Sequence, residues 1–216
     1  MTLPVPPLTP PPPVTRKYQK RLRAENAEQT RRRILDAVAT RLRTAPTEPV
    51  SLDDVARSAR VARSTIYAAF GSRAGLFDAF VDDLWSRTGL PSLTAAVANP
   101  DAREHLRAGI SAASRMYAVD RDIYRVLYSM AQLDPASVGG AVQKMEAERA
   151  GGMAHVAGRL AEDGALREGI SVARATDVLW MLCSFDAFDQ LYTGRRLGID
   201  ETVKTLVATA QSAVCS

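Results

Sequence analysis

The sequence has few of the features that extracellular, membrane-bound or metal-dependent proteins require. Its 216 residues include two cysteines, Cys183 and Cys215, with no CxxC pair or Cys/His cluster, so we expect no disulfide framework, metal ion or cofactor. No apolar run approaches the roughly eighteen residues of a membrane span. Prolines separate Leu3, Val5 and Leu8, so the amino terminus lacks the apolar core of a signal peptide. These absences predict a cytoplasmic protein with no membrane partner.

Strand signals and catalytic motifs are also scarce. Seven of the twelve prolines fall within residues 1–13, and the remainder is rich in Ala, Leu, Arg and Glu without alternating apolar and polar runs, which predicts an all-α fold. There are two histidines and no GxSxG, HExxH or phosphate-binding glycine loop. Paired acids such as Glu146 with Glu148 are expected to face water. A helical-bundle enzyme is therefore the weakest functional hypothesis.

Charge is divided unevenly along the chain. Residues 14–73 hold fourteen Lys and Arg against six Asp and Glu, a net +8, whereas residues 74–216 hold fourteen against eighteen, a net −4. A basic segment on an acidic body indicates a nucleic-acid partner, because neutralised phosphates release counterions. The alternative is a basic arm that is simply solvated.

Composition divides the chain into three segments. Residues 1–15 contain four consecutive prolines, which disfavour a helix, so we expect a disordered tail acting as a spacer or, alternatively, docking on a proline-reading groove. Residues 16–73 are expected to form a small DNA-binding domain with a basic arm. Residues 74–216 are expected to form a larger helical domain.

Short helices are predicted within residues 16–73. Apolar residues at three- and four-residue spacing predict a first helix that ends near Thr44, before two prolines. Ser51 is placed to cap a second helix that runs to about Ala59. A third helix begins near Arg63, and two short helices joined by two or three residues have the outline of a helix-turn-helix.

Longer helices with short breaks are predicted beyond Gly71, and Ser72 can cap the first of them. Proline and glycine residues supply the breaks. The expected helices span residues 74–88, 101–118, 120–132, 136–163, 171–193 and 200–214.

Residues 50–84, VSLDDVARSARVARSTIYAAFGSRAGLFDAFVDDL, resemble the DNA-binding domain of the tetracycline-repressor (TetR) family. The family's second helix opens with Ser or Thr, its turn has an Ala-x-x-Ala-(Gly)-Val step, its recognition helix ends Tyr-x-x-Phe, and a basic residue opens its fourth helix. The residues that match are Ser51, Ala56, Ala59, Val61, Tyr67, Phe70 and Arg73. The sequence departs from the pattern at Arg60, where Gly is usual, at Ala62, where a capping Ser or Thr is common, and at Ala69, where a phosphate-binding side chain is typical.

The resemblance implies an N-terminal three-helix DNA-binding domain, residues 16–73, followed by a helical-bundle domain for ligand binding and dimerisation, residues 74–216. Residues 177–210 are similar to the helix pair with which such proteins form homodimers. The implied partners are a partly palindromic double-stranded operator and a small-molecule effector. An activator, or an architectural DNA-binding protein without an effector, fits the same sequence.

Candidate site residues follow from this resemblance and from side-chain chemistry. Base and phosphate contacts are expected from the third helix, from the caps and from the basic arm, which is expected to reach the minor groove. The predicted DNA-binding residues are Arg21, Arg23, Ser51, Arg63, Ser64, Thr65, Tyr67 and Arg73. Methionine beside aromatic residues suits a pocket for apolar ligands, although core packing is the alternative for each. The predicted ligand-binding residues are Met116, Tyr117, Tyr124, Met153, Trp180, Cys183 and Ser184.

Two further expectations concern the larger domain. His155 and Asp186 are polar groups within apolar stretches, so each is a candidate for orienting a ligand, with a core or rim position as the alternative for His155. The fourth helix, residues 74–88, joins the two domains and is the expected lever between effector and DNA.

Overall fold

The computed structural model describes residues 16–216; the predicted proline-rich tail, residues 1–15, lies outside them. Eleven α-helices and two π-helical turns make up the described part of the chain. The helices are α1 (Arg16–Thr44), α2 (Leu52–Ala59), α3 (Arg63–Phe70), α4 (Arg73–Thr88), α5 (Leu90–Val97), α6 (Ala102–Val119), α7 (Arg121–Leu133), α8 (Gly140–Glu162), α9 (Val172–Leu182), α10 (Phe185–Asp189) and α11 (Ile199–Val214). The π-helical turns are Pro135–Gly139 and Gln190–Gly194. Within residues 16–216 there is no strand, only an isolated bridge between Leu166 and Cys215, so the predicted all-α class is confirmed.

Local capping explains where the amino-terminal helices begin and end. The Ser51 hydroxyl accepts a hydrogen bond from the Asp53 backbone N–H at 3.2 Å, and the Ser72 hydroxyl accepts one from Gly75 at 2.9 Å, as the sequence predicts. Arg60 ends α2 in the left-handed region, with φ 55°. A side chain there costs about 1 kcal/mol relative to glycine, so this departure from the family pattern leaves the turn intact at a modest cost.

Three predicted helix boundaries are wrong. Pro91, which was expected to break the chain, lies in the first turn of α5, where a missing N–H removes no intrahelical bond. The expected helix 136–163 opens with a π-helical turn before α8. The expected helix 171–193 is divided at Cys183 and Ser184, because the Ser184 hydroxyl accepts from the Ala187 N–H at 3.1 Å and starts α10 as a new helix.

Two groups of buried side chains form the core. The larger group joins α1 to α4 with α6, α7, α8 and α10, and includes Ile34, Phe77, Phe80 and Tyr124. The smaller group joins α6, α8, α9 and α11 at the opposite end, around Leu160 and Leu179. Phe77 and Phe80 of α4 lie in this larger group together with residues of α1, α2 and α3. The three-helix unit formed by α1, α2 and α3 therefore packs directly on the rest of the described chain.

No helix in residues 16–216 combines the length and the hydropathy of a transmembrane segment.

Candidate nucleic-acid interface and effector cavity

Helices α2 and α3 form a helix-turn-helix whose second helix faces outward. The turn is closed by a hydrogen bond from the Val61 N–H to the Ala56 carbonyl oxygen at 3.0 Å. Ala56 and Ala59 are buried between the helices, and Ile66 is the buried residue of α3. Small residues at the crossing allow the two short helices to pack closely, which leaves the opposite face of α3 free.

The outward face of α3 carries most of the predicted DNA-binding side chains. Arg63, Ser64 and Tyr67 are exposed, and Thr65 is half-buried. The Arg63 guanidinium donates to both Asp53 carboxylate oxygens, at 3.0 and 3.2 Å, and to the Tyr67 hydroxyl at 3.4 Å. The hydrogen bond to Tyr67, followed by the charge of Asp53, raises the pKa of Arg63. Arg63 is thus a fixed cation at the amino end of α3, in contact with the adjacent helix α2.

Arg73 points into the protein instead of along this face. Its Nε donates to the Ser137 hydroxyl at 2.9 Å, its Nη1 donates to the Val50 carbonyl oxygen, and its Nη2 lies 3.5 Å from an Asp134 carboxylate oxygen. The guanidinium also lies over the Phe77 ring, 5.4 Å from its centre. The predicted phosphate contact does not match this geometry. Arg73 joins Val50, two residues before α2, to the turn between α7 and α8.

Ser51 uses its hydroxyl to cap α2 and remains half-exposed, so it borders the same face as Arg63. The basic arm is helical, because α1 begins at Arg16 and is continuous to Thr44. Arg21 pairs with Glu25 at 2.9 Å, and Arg23 is exposed. These residues therefore lie on the first turns of a long helix, and the expectation that the arm reaches the minor groove stays a prediction.

Arg31 is a functional candidate that sequence reasoning missed. Its guanidinium donates to the Ala69 carbonyl oxygen at 3.0 Å and lies 4.3 Å from the centre of the Phe70 ring. Arg31 therefore fixes α1 to the carboxyl end of α3. The sequence shows a run of three arginines at residues 31–33, which indicates a charged surface. The run does not indicate that Arg31 packs against α3.

A second arginine contact links the three-helix unit to the larger domain. Arg43, near the end of α1, pairs with the buried carboxylate of Asp120, between α6 and α7. Asp134, the partner of Arg73, follows α7 directly. Helix α7 is therefore flanked by two carboxylates, each contacted by an arginine of residues 16–73.

The predicted ligand-binding residues separate into two groups. Met116, Tyr117, Tyr124 and Cys183 are buried, and the Tyr117 and Tyr124 rings pack edge to face with centres 5.0 Å apart. Burial raises the pKa of the Cys183 thiol to about 12, so the thiol is neutral. These four residues therefore pack in the core, which was the alternative expected for each of them. The gap beside Tyr117 and Cys183 is about 10 Å³, which is too small for a ligand.

The remaining predicted residues occupy different places. Trp180 and Ser184 line a cavity of about 510 Å³ between α7, α8 and the α9–α10 junction, and exposed Asp186 lines it too. Met153 packs against the smaller core group. His155 is exposed, with its ring centre 5.6 Å from that of buried His105, so it has the rim position expected as its alternative.

The cavity contains a polar cluster that sequence reasoning missed. The Tyr128 hydroxyl donates to Glu146, and Glu146 also accepts from Arg149. The Arg149 guanidinium lies 4.6 Å from the centre of the Trp180 ring and donates to the Trp180 carbonyl oxygen. Glu146 was expected to face water, but packing of α8 against α7 and α9 makes it partly buried. Opposite charges three residues apart are common on exposed helices, so no sequence signal distinguished this pair.

A larger groove of about 900 Å³ lies between α5, α6 and α11. Its walls carry small residues such as Ala108 and Ala112, together with the charged residues Arg107, Arg115, Asp200 and Lys204. The groove has no aromatic side chain, whereas the smaller cavity has three. The smaller cavity is therefore the better match to an aromatic or apolar ligand.

The exposed α3 on a capped two-helix unit, with a helical domain behind it, is the arrangement of a helix-turn-helix DNA-binding protein. Residues 34–80 match the family model described as bacterial regulatory proteins, tetR family. The resemblance seen in the sequence is confirmed over these residues, which form a TetR-type DNA-binding domain.

Solved structures share the fold over most of the chain. One is a Rhodococcus sp. protein assigned as a TetR-family transcriptional regulator, with a TM-score of 0.71, 16% identity, and coverage of 88% of this chain and 100% of that one. Another is NalD of Pseudomonas aeruginosa, the secondary repressor of the MexAB-OprM multidrug efflux pump, with a TM-score of 0.66, 21% identity, and coverage of 88% and 97%. Among curated proteins, no match was found.

Proposed function

We propose that this regulator is a cytoplasmic repressor that binds a partly palindromic operator as a homodimer and is released by a small apolar or aromatic effector. The exposed face of α3, with Arg63, Ser64 and Tyr67 directed outward, is the observation that supports operator reading. Arg63 suits a guanine edge, and Tyr67 suits a backbone phosphate. Thr65 and Ser51 complete the proposed contacts.

The helical arm supplies the sequence-independent part of the proposed interface. Arg21 and Arg23 lie on the exposed first half of α1, and Arg31 anchors that helix beside the end of α3. Basic residues on the part of α1 that precedes Arg31 suit phosphates flanking the operator half-site. Arg73, whose guanidinium is bound within the protein, is not included among the proposed phosphate contacts.

Selection of bound DNA from a random pool, followed by fluorescence anisotropy on the selected duplex, tests operator reading. Arg63→Ala is expected to weaken binding about tenfold or more, because a base contact is lost. Arg107→Ala is the matched control. Arg63 and Arg107 have side chains 53% and 58% exposed, and each is paired with an acidic residue, but Arg107 lies on α6 and pairs with Glu104 of the same helix. Equal losses in both variants would contradict base reading by α3.

The salt dependence of binding separates the alternative functions. An architectural protein without an operator of its own would bind with a steep salt slope and no enriched sequence. An activator would enrich a sequence, but binding would raise transcription of the adjacent promoter. We expect an enriched partial palindrome and lower transcription, measured with a reporter.

The proposed dimer uses residues 177–210. Exposed apolar side chains in and beside this segment, Val172, Trp180 and Met181, support the proposal, since a second copy would cover them. Light scattering is expected to give a mass near twice that of one chain. The proposed division at residues 73 and 74 places the Arg43 and Arg73 contacts at the boundary between the two domains.

A further inference from the structure

We propose that Asp53 of α2 determines operator specificity: its carboxylate holds the guanidinium of Arg63 in the orientation that reads a guanine, and keeps it from binding a phosphate. The inference rests on the proposed reading of an operator by α3, and adds a residue of the neighbouring helix to it. Asp53 is a positioning residue, because it acts on the DNA through Arg63. The contacts of three side chains, Asp53, Arg63 and Tyr67, carry the inference.

The Arg63 guanidinium is held from two sides. Its Nη1 donates to both Asp53 carboxylate oxygens, at 3.0 and 3.2 Å, and its Nη2 donates to the Tyr67 hydroxyl at 3.4 Å. The guanidinium carbon also lies 5.8 Å from the centre of the Tyr67 ring. Arg63 is the first residue of α3 and Asp53 lies in the first turn of α2, so the pair joins the beginnings of the two helices. The long arginine side chain is therefore ordered before DNA binds, which reduces the entropy lost on binding.

The contact with Asp53 leaves donors for a base. A guanidinium has five N–H donors, and a guanine presents two acceptors, O6 and N7, in the major groove. Within residues 16–216 the Arg63 Nε has no acceptor, and Nη2 uses one of its two N–H groups on Tyr67. The edge formed by Nε and Nη2 is thus available while Nη1 stays on Asp53. Arg63 can therefore bind a guanine without leaving its carboxylate partner.

The same contacts prepare Tyr67 for a phosphate. Because the Tyr67 hydroxyl accepts from Arg63, its own proton is free to donate. A phosphate oxygen accepts hydrogen bonds and cannot donate them to this hydroxyl. The arrangement therefore assigns the base to Arg63 and the phosphate to Tyr67.

The position of Asp53 is unfavourable for affinity alone. Its side chain is 60% exposed beside the outward face of α3, where a carboxylate repels the phosphates of any sequence. The cap of α2 does not require this carboxylate, because the Ser51 hydroxyl binds the backbone N–H of Asp53. A residue that opposes all DNA but orders one base contact increases the difference between the operator and other sequences.

The substitution Asp53→Asn keeps the shape of the side chain and removes its charge. Anisotropy is measured with the selected duplex and with a scrambled duplex of the same length. We expect Kd for the selected duplex to rise about tenfold, because the positioned base contact is lost. We expect Kd for the scrambled duplex to fall about threefold, because a negative charge beside the phosphates is gone. Tighter binding of both duplexes would show that Asp53 only repels DNA, and would overturn the proposal.

Asp54→Asn is the matched control. Asp54 is the next residue in the same helical turn, and it pairs with Arg57 of its own helix at 2.8 Å. The control removes the same charge from the start of α2, so any effect on helix stability is shared. We expect both duplexes to change by the same factor in this variant. Equal losses of operator affinity in Asp53→Asn and Asp54→Asn would assign the effect to α2 itself and overturn the proposal.

A second background tests whether Asp53 acts through Arg63. In the Arg63→Ala variant the guanidinium is absent, so Asp53→Asn can only remove repulsion. We expect this double variant to bind both duplexes more tightly than Arg63→Ala does, by the same factor. A further loss of operator binding there would show that Asp53 acts without Arg63, and would overturn the positioning role.

Repeating the selection of DNA with each variant measures base preference, which a loss of stability alone would not change. Arg63→Ala identifies the operator position that Arg63 reads, because the preference for guanine disappears there. Asp53→Asn is expected to lose guanine at that position and to keep the other preferences. If guanine is retained, the role of Asp53 is excluded while operator reading stands. If the unmodified chain enriches no sequence, operator reading itself fails, and the role of Asp53 fails with it.

Discussion

Replacing Arg73 with alanine separates two roles for this residue, phosphate binding and domain positioning. Its guanidinium contacts the Ser137 hydroxyl, the Val50 carbonyl oxygen and, at 3.5 Å, the Asp134 carboxylate. A hydrogen bond to a charged group contributes about 1.5–3 kcal/mol when buried. Because the side chain is 27% exposed, solvent weakens these contacts. We therefore expect Arg73→Ala to lower the free energy of unfolding by about 2 kcal/mol.

Thermal and urea denaturation measure this loss. For a chain of this length, about 2 kcal/mol corresponds to a fall in Tm of about 4–8 °C. Ser137→Ala removes one partner and is expected to cost about 1 kcal/mol. Because the two residues share a contact, the double variant should be less destabilised than the sum of the single variants. Additive losses would show that Arg73 and Ser137 do not interact in solution.

Operator binding provides the decisive comparison. If Arg73 positions the DNA-binding domain, Arg73→Ala and Ser137→Ala should both weaken operator binding, the former about tenfold, with the salt slope unchanged. If Arg73 binds a phosphate, Arg73→Ala alone should weaken binding, and the salt slope should fall by about 0.9. Anisotropy titrations at several salt concentrations distinguish these results, and the second would refute the positioning role.

Three other substitutions have expected outcomes. Tyr67→Phe should weaken operator binding about fivefold with no change in Tm, because the exposed hydroxyl has little effect on folding but can donate to a phosphate; an unchanged affinity would exclude that contact. Asp120→Asn should lower the free energy of unfolding by about 2 kcal/mol in urea denaturation, because it leaves Arg43 without its charged partner; a loss below about 0.5 kcal/mol would make that pair unimportant. Burial of His105 lowers its pKa, and the charges of Arg159 and His155 lower it further. The unfolded chain therefore binds the proton more tightly than the folded chain does. The free energy of unfolding should fall as the pH drops below about 6.5. His105→Gln should reduce that loss in urea titrations from pH 7.5 to 5, and identical pH profiles would assign the effect to other groups.

The amino-terminal helices could be predicted because their signals are local. Ser51 caps the helix that begins at the next residue, and the turn at Arg60 depends on neighbouring residues, so sequence spacing alone indicates both. Pro91 was misread because a proline at the start of a helix and a proline that ends one look alike without the flanking geometry. Local rules therefore described the helix-turn-helix well and three later helix boundaries poorly.

The contacts of the candidate sites could not be predicted in the same way. Arg73 donates a hydrogen bond to Ser137, which lies 64 positions later in the sequence. No residue close to Arg73 in the sequence indicates this acceptor. Tyr117 and Tyr124 were chosen as ligand residues because of their aromatic rings, but those rings fill the core between α6, α7 and α10. Whether a residue lines a cavity or fills it depends on how helices pack, which periodicity does not reveal.

Helix α7 connects the two proposed sites more directly than α4 does. Tyr128 on α7 holds the Glu146 carboxylate at the cavity, while the carboxylates flanking α7, Asp120 and Asp134, contact Arg43 and Arg73. A hundredfold release of DNA requires about 2.7 kcal/mol of difference in ligand affinity between the two conformations. That difference is comparable to the strength of one arginine contact. A small shift of α7 that breaks the Arg43 contact or the Arg73 contact is therefore sufficient to release DNA. The fourth helix would then follow, because Arg73 is its first residue. If effector binding released DNA equally well from Arg73→Ala and from the unmodified chain, coupling through Arg73 would be excluded and Arg43 would remain as the other route.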